Sequence, residues 1–129
     1  HNFETRLIDS TKVIKKLHNS ADRLLLDAPC SGLGVIKRNP DSKWKLEPEF
    51  IDRIMGVQQD ILQNYSKMVK KGGQMVYATC SILPQENTEQ VKKFLESENG
   101  KEFELVREQN VYASETGFDG FYMALVKKI

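Results

Sequence analysis

The sequence predicts an α/β fold, with a mostly parallel sheet, helices on both faces and an antiparallel hairpin at its C-terminal edge. Three observations predict it. Short apolar runs at residues 23–27 and 74–78 end at once in polar turns, as buried parallel strands do. Segments with apolar residues every three or four positions alternate with those runs. The last two β-rich runs, 103–107 and 121–127, have no helix-length segment between them, so they pair antiparallel.

The elements follow in order. Residues 6–9 read as the end of a short strand. Residues 10–17 carry Val13, Ile14 and Leu17 at helical spacing. After the strand at 23–27, residues 48–70 make the clearest helix, with Phe50, Ile51, Ile54, Met55, Ile61, Leu62, Tyr65, Met68 and Val69 on its stripe. Pro48 suits its first turn and Gly72-Gly73 its stop. Gly56 inside it costs about 1 kcal/mol against Ala, which predicts a close contact there. The strand at 74–78 is followed by a helix from about 84 to 98, with Val91, Phe94 and Leu95 buried and Asn99-Gly100 as its end. The turn 117–120 precedes the last strand. Neither an internal repeat nor a low-complexity linker is present.

The chain has 129 residues, enough for one domain or part of one. Lys and Arg total 19 against 18 Asp and Glu, a net charge of +1, so overall charge does not argue for nucleic acid. Lys37, Arg38, Lys43 and Lys45 do cluster after the first strand-end turn. Lys67, Lys70 and Lys71 suit a helix C-terminus. No apolar run is long enough to cross a membrane, and no signal-peptide pattern opens the chain. The expectation is a reduced, cytoplasmic protein without a disulfide framework. His1 and His18 lack zinc-ligand spacing to either cysteine, so no metal is expected.

Cys30 and Cys80 are the only cysteines, and each follows a strand. In open α/β sheets ligands bind outside the carboxyl ends of the strands. Neighbouring strands would deliver two thiols and the Asp27 carboxylate to one crevice. Cytosine C5 methylation is one of the few chemistries that needs this set. C5 is a poor nucleophile until a thiolate adds to C6. A group must then stabilise charge on the base edge, and a base must remove the C5 proton. Pro29 stiffens the first turn, and Ser31, Gly32 and Gly34 let backbone approach a flat ligand. Ser81 lies near the start of the following helix, whose positive end lowers a nearby thiol pKa.

Asp27-Ala-Pro-Cys-Ser-Gly-Leu-Gly34 resembles motif IV of the Sun (Fmu-type) family of RNA cytosine-C5 methyltransferases. Tyr77-Ala-Thr-Cys-Ser-Ile-Leu-Pro-Gln-Glu-Asn87 resembles its motif VI. Arg38-Asn-Pro-Asp-Ser-Lys-Trp44 and Gly120-Phe-Tyr-Met-Ala124 are similar to two further family segments. The resemblance implies a partial Rossmann-like class I methyltransferase fold and S-adenosyl-L-methionine as cofactor. It implies RNA as partner, with ribosomal RNA ranked ahead of transfer RNA. By the same resemblance Cys80 is the nucleophile, Cys30 is linked to release of the covalent intermediate, and Asp27 lies between methyl donor and base. Asp9 matches the family's aspartate near the donor's adenine. The family's Gly-rich motif I and ribose-binding acid have no counterpart in this sequence, nor does its N-terminal RNA-binding region. Residues 1–129 are therefore expected to be the C-terminal portion of a catalytic domain, inactive alone and prone to self-association through exposed apolar surface.

Other residues take plainer readings. Trp44 anchors its loop, Glu86 and Asn87 open a helix whose dipole suits Glu, and Gln58 and Gln59 are polar surface unless Gln58 faces the site. Phe118, Phe121 and Tyr122 pack the edge hairpin. The alternative function is a non-catalytic RNA-binding or assembly module that retains the scaffold. A thiol hydrolase or redox enzyme is disfavoured, because no histidine is placed to activate a thiol and no Cys-x-x-Cys is present.

Overall fold

The computed structural model describes residues 11–31, 47–111 and 120–129. The expectations for Asp9 and its strand, for Lys37, Arg38, Lys43, Trp44 and Lys45, and for Phe118 lie outside these residues. Helix α1 spans Thr11–Lys16 and strand β1 spans Ala21–Asp27. Helix α2 spans Pro48–Tyr65, β2 Val69–Thr79, α3 Thr88–Glu96, β3 Phe103–Val111 and β4 Phe121–Lys128.

The strands form one sheet in the order β1-β2-β4-β3. β1 and β2 are parallel, and β4 runs antiparallel to both β2 and β3. The expected antiparallel pair is present. The last strand inserts beside β2 and leaves β3 at the edge.

Alternation along the strands sets the two faces. Leu26, Met75, Tyr77, Tyr122, Ala124 and Val126 point to one face, where Leu62 of α2 and Val91 and Phe94 of α3 complete the core. Burying an aliphatic or aromatic side chain of this size stabilises by roughly 1.5–3 kcal/mol. On the other face Leu25, Val76 and Leu125 stand in register across three strands. Leu25 is 69% exposed there.

Two boundaries differ from the sequence reading, each for a physical reason. Helix α2 stops at Tyr65, and a 3₁₀ turn at Ser66–Met68 leads straight into β2. Met68 and Val69 continue the helical spacing, yet they are buried by the sheet end. Gly72-Gly73 therefore serves a bulge rather than a helix stop. Between Ala21 and Arg23 of β1, the partner on β2 jumps from Val69 to Gln74. Gly72 takes φ of +85°, and a Cβ on Gly73 would sit 2.9 Å from the Ala21 carbonyl oxygen. The second helix is also shorter than expected. A 3₁₀ turn at Pro84–Glu86 precedes it, and Asn87, at φ −115° and ψ −103°, breaks the path before α3.

Gly56 has no heavy atom within 4 Å of where its Cβ would be, so the expected close contact is absent. Gly100 is the glycine that packing requires, because its Cβ would fall 1.7 Å from the Phe94 carbonyl oxygen. Gly56→Ala should accordingly stabilise the chain by up to about 1 kcal/mol. Gly100→Ala should destabilise it by about 3 kcal/mol or more. Urea unfolding midpoints check both signs.

Candidate active site

The site begins where the β1–β2 ladder ends. Asp27 pairs with Ala78, and the Ala28 amide donates to the Ala78 carbonyl at 3.0 Å, one step beyond the strand. Pro29 has no amide to continue the ladder. The chain turns there and presents Cys30, while β2 ends at Thr79 and presents Cys80. The Cys80 amide donates to the Cys30 sulfur at 3.3 Å. Both cysteines are reduced; Cys80 is exposed and Cys30 half-buried. Asp27 is exposed at the same carboxyl end, on the sheet row that faces away from α2 and α3. The structure thus brings the two sequence-predicted thiols together at the strand ends.

Beneath them lies a polar cluster that the sequence reading misassigned. Glu86, read from the sequence as a helix-opening acid, is fully buried and closes the 3₁₀ turn before α3. Its Oε1 accepts from the Ser31 amide at 2.7 Å and from Gln58 Nε2 at 3.1 Å. Its Oε2 accepts from the Ser31 hydroxyl at 2.7 Å and from the Ser81 hydroxyl. A carboxylate offers acceptors only, and four donors converge on this one. Gln58, fully buried as well, also donates to the Pro29 carbonyl at 2.9 Å and so faces the site. Gln59 is buried too, donating to Gln90 Oε1 at 2.7 Å.

Asn87 fixes the second thiol turn from the other side. Its Nδ2 donates to the Ser81 carbonyl at 2.8 Å, and its Oδ1 accepts from the Thr79 hydroxyl at 2.5 Å. Helix α3 starts only at Thr88, and the 3₁₀ turn at Pro84–Glu86 lies between it and Ser81. The available signal for Glu86 was the repeated Cys-Ser pair. Each thiol is followed by a serine, and both serines reach one carboxylate.

Tyr77 anchors the cluster to the sheet, its hydroxyl donating to the Glu86 carbonyl at 2.8 Å. Burial pushes this phenol well above the usual tyrosine range, and the charges of Glu86 and Cys30 add to the effect. Tyr122 is pushed up by burial and by its hydrogen bond to Glu108. A cleft of about 750 Å³ is at the opposite end of the sheet, lined by Lys67, Lys70, Lys71 and Lys128 among others. It lies at the starts of β1, β2 and β3 and the end of β4, remote from the two thiols. Among the described residues no group of three or more His, Cys, Asp or Glu is arranged to hold a metal ion. No described helix is long and apolar enough to cross a membrane.

Sheet order, strand-end thiols and turn motifs together define a class, the Rossmann-like methyltransferases. A methyltransferase homolog protein from Pyrococcus horikoshii superposes with a TM-score of 0.76 at 26% identity, over 95% of this chain and 44% of that one. NSun6 from Pyrococcus horikoshii, solved with SFG, superposes with a TM-score of 0.77 at 26% identity, over 92% of this chain and 33% of that one. Within the class, the chain belongs to the 16S rRNA methyltransferase RsmB/F family, whose model matches residues 2–127. Ribosomal RNA small subunit methyltransferase B of Proteus mirabilis is 43% identical over 107 residues, covering 83% of this chain and 25% of the relative. The protein of that name from Pasteurella multocida is 40% identical over 127 residues, covering 90% of this chain and 28% of the relative. The chain therefore spans about a quarter of the length of these relatives.

The raised phenols give a signed pH dependence. A folded pKa above the unfolded value of about 10 means stability that is intact below pH 10 and lost as pH rises further. Tyr77 and Tyr122 should stay protonated at about pH 10.5 in the folded chain and ionise in urea. Absorbance at 295 nm should rise in two stages, the second coincident with unfolding by circular dichroism.

Proposed function

We propose that this chain carries the catalytic turns of an S-adenosyl-L-methionine-dependent RNA 5-methylcytosine methyltransferase. The observation that carries the reading is the 3.3 Å contact between the Cys80 amide and the Cys30 sulfur at adjacent strand ends. In this reading one cytosine lies over that point, within reach of both cysteines. In this reading the Cys80 thiolate adds to C6 and raises electron density at C5. After methylation the C5 proton leaves and the C6–S bond breaks, a release to which Cys30 is linked. The exposure of Cys80 supports the attacking role, because an attacking thiol must reach its substrate.

The cofactor supplies an electrophilic methyl on a sulfonium cation. The exposed Asp27 carboxylate at the end of β1 fits such a group by charge and position, between the donor side and the base. SFG, present in the NSun6 structure, is an analogue of this donor, which supports the assignment. Asp9 is proposed as a further donor contact. We place residues 1–129 in the C-terminal portion of the catalytic domain, with the principal donor-binding loop supplied from outside them. Ribosomal RNA is the proposed substrate, ahead of transfer RNA, and the cytoplasm the proposed location. The names of the relatives support the first.

Two measurements test the reading. The complete protein, given the donor and RNA containing 5-fluorocytidine, should form a covalent adduct that Cys80→Ser abolishes. Cys30→Ser should instead accumulate protein on unmodified RNA. The reverse pattern would exchange the roles. Residues 1–129 alone should bind the donor poorly in calorimetry. Micromolar affinity would contradict the placement of the main donor loop elsewhere.

A further inference from the structure

We propose that Glu86 is the positioning residue that sets the separation of the two thiols. The proposal rests on the reading of Cys30 and Cys80 above, and it adds the group that holds them.

The backbone alone does not fix this separation. The parallel ladder ends at Ala28 and Ala78, and both cysteines lie beyond it. Each is instead held through the residue that follows it. Ser31 gives its amide and its hydroxyl to Glu86, and Ser81 gives its hydroxyl to the same carboxylate. Gln58 ties the preceding residue of the first turn, Pro29, to Glu86 as well. The backbone around it is held as well, since the Tyr77 hydroxyl donates to the Glu86 main-chain carbonyl and Asn87 Nδ2 donates to the Ser81 main-chain carbonyl. One side chain thus reads out the position of both turns. The Cys80 amide then meets the Cys30 sulfur as a consequence.

A buried carboxylate is a costly way to join two loops if joining is all that is needed, because apolar packing serves as well. What it adds is direction. Charge-assisted hydrogen bonds from four sides fix geometry more tightly than contact between hydrocarbon surfaces. Addition and release at one base require that tolerance, since a displacement of about 1 Å is enough to cost about 100-fold in rate.

The test is thiol cross-linking in the 129-residue chain, whose two cysteines leave one possible pair. Dibromobimane becomes fluorescent when it bridges two nearby thiols. The quantity read is the bridging rate divided by the rate of single alkylation. Glu86→Gln should lower this ratio about tenfold, and Glu86→Asp, which keeps the acceptors on a shorter arm, should recover part of it. A folded Glu86→Gln chain with the wild-type ratio would overturn the proposal. Should Glu86→Gln fail to fold, Glu86→Asp decides, because it leaves the direct 3.4 Å contact between the Ser31 and Ser81 hydroxyls available: a ratio below wild type supports the proposal and the wild-type ratio overturns it. In the complete protein Glu86→Gln with wild-type circular dichroism should lower kcat about 100-fold while KM for RNA stays within about twofold; the unchanged spectrum excludes loss of folded enzyme as the cause. Bridging requires no methyl transfer. A lowered ratio in a protein that never forms the 5-fluorocytidine adduct would therefore retire the methyltransferase reading and leave Glu86 in place.

Discussion

Everything at the reactive end of this molecule depends on the convergence of hydrogen-bond donors on the buried Glu86 carboxylate. Two strands deliver two turns, but hydrogen bonding between the strands stops before the cysteines. Beyond that point the turns are aligned by side chains. Ser31 and Ser81 come from opposite turns and end on one carboxylate. Gln58 brings helix α2 into the same cluster, and Tyr77 brings the core of the sheet. The thiols sit at the edge of this cluster, Cys30 half-buried and Cys80 exposed, so a hydrogen-bonded base supports an accessible Cys80.

The polar cluster continues away from the site. Gln90 Nε2 donates to Gln58 Oε1 at 3.1 Å and to the Met55 carbonyl at 2.7 Å. Gln63 bonds both Gln59 and the Ser97 hydroxyl, each at 2.9 Å. A chain of amides therefore runs between α2 and α3 to the Ser97–Gly100 corner. No buried side-chain nitrogen or oxygen among the described residues lacks a partner. Such a network is stabilising only when it is complete, and it specifies one packing of the two helices. The sheet divides accordingly into a face closed by α2 and α3 and a face where Leu25, Val76 and Leu125 form an apolar row.

The fold was largely legible because its signals are local. Alternation in β4 and helical spacing in α2 and α3 are properties of short windows, and the lack of a helical pattern in the sequence between 103–107 and 121–127 pointed to an antiparallel pair. The thiol pair was legible for the same reason, since a strand end is recognised from its own residues. The failures share a cause too. Met68 and Val69 extend the spacing of α2 by coincidence, and only their burial by the sheet end reveals it. Glu86 looks like a helix-start acid until its partners Ser31 and Gln58, 55 and 28 residues away, are known. Hydrogen bonds between segments far apart in sequence leave no periodicity to read. The repeated Cys-Ser pair was a trace of the Glu86 cluster in the sequence.

The central claim is that both sulfur atoms belong to a single site. Binding of an aryl arsenoxide to the 129-residue chain measures this directly, because one arsenic(III) condenses with two thiols, releasing water, only when they are neighbours. The account predicts one arsenic per chain with both thiols consumed. Two arsenics per chain, or one thiol still reactive toward a disulfide reagent at saturation, would contradict it.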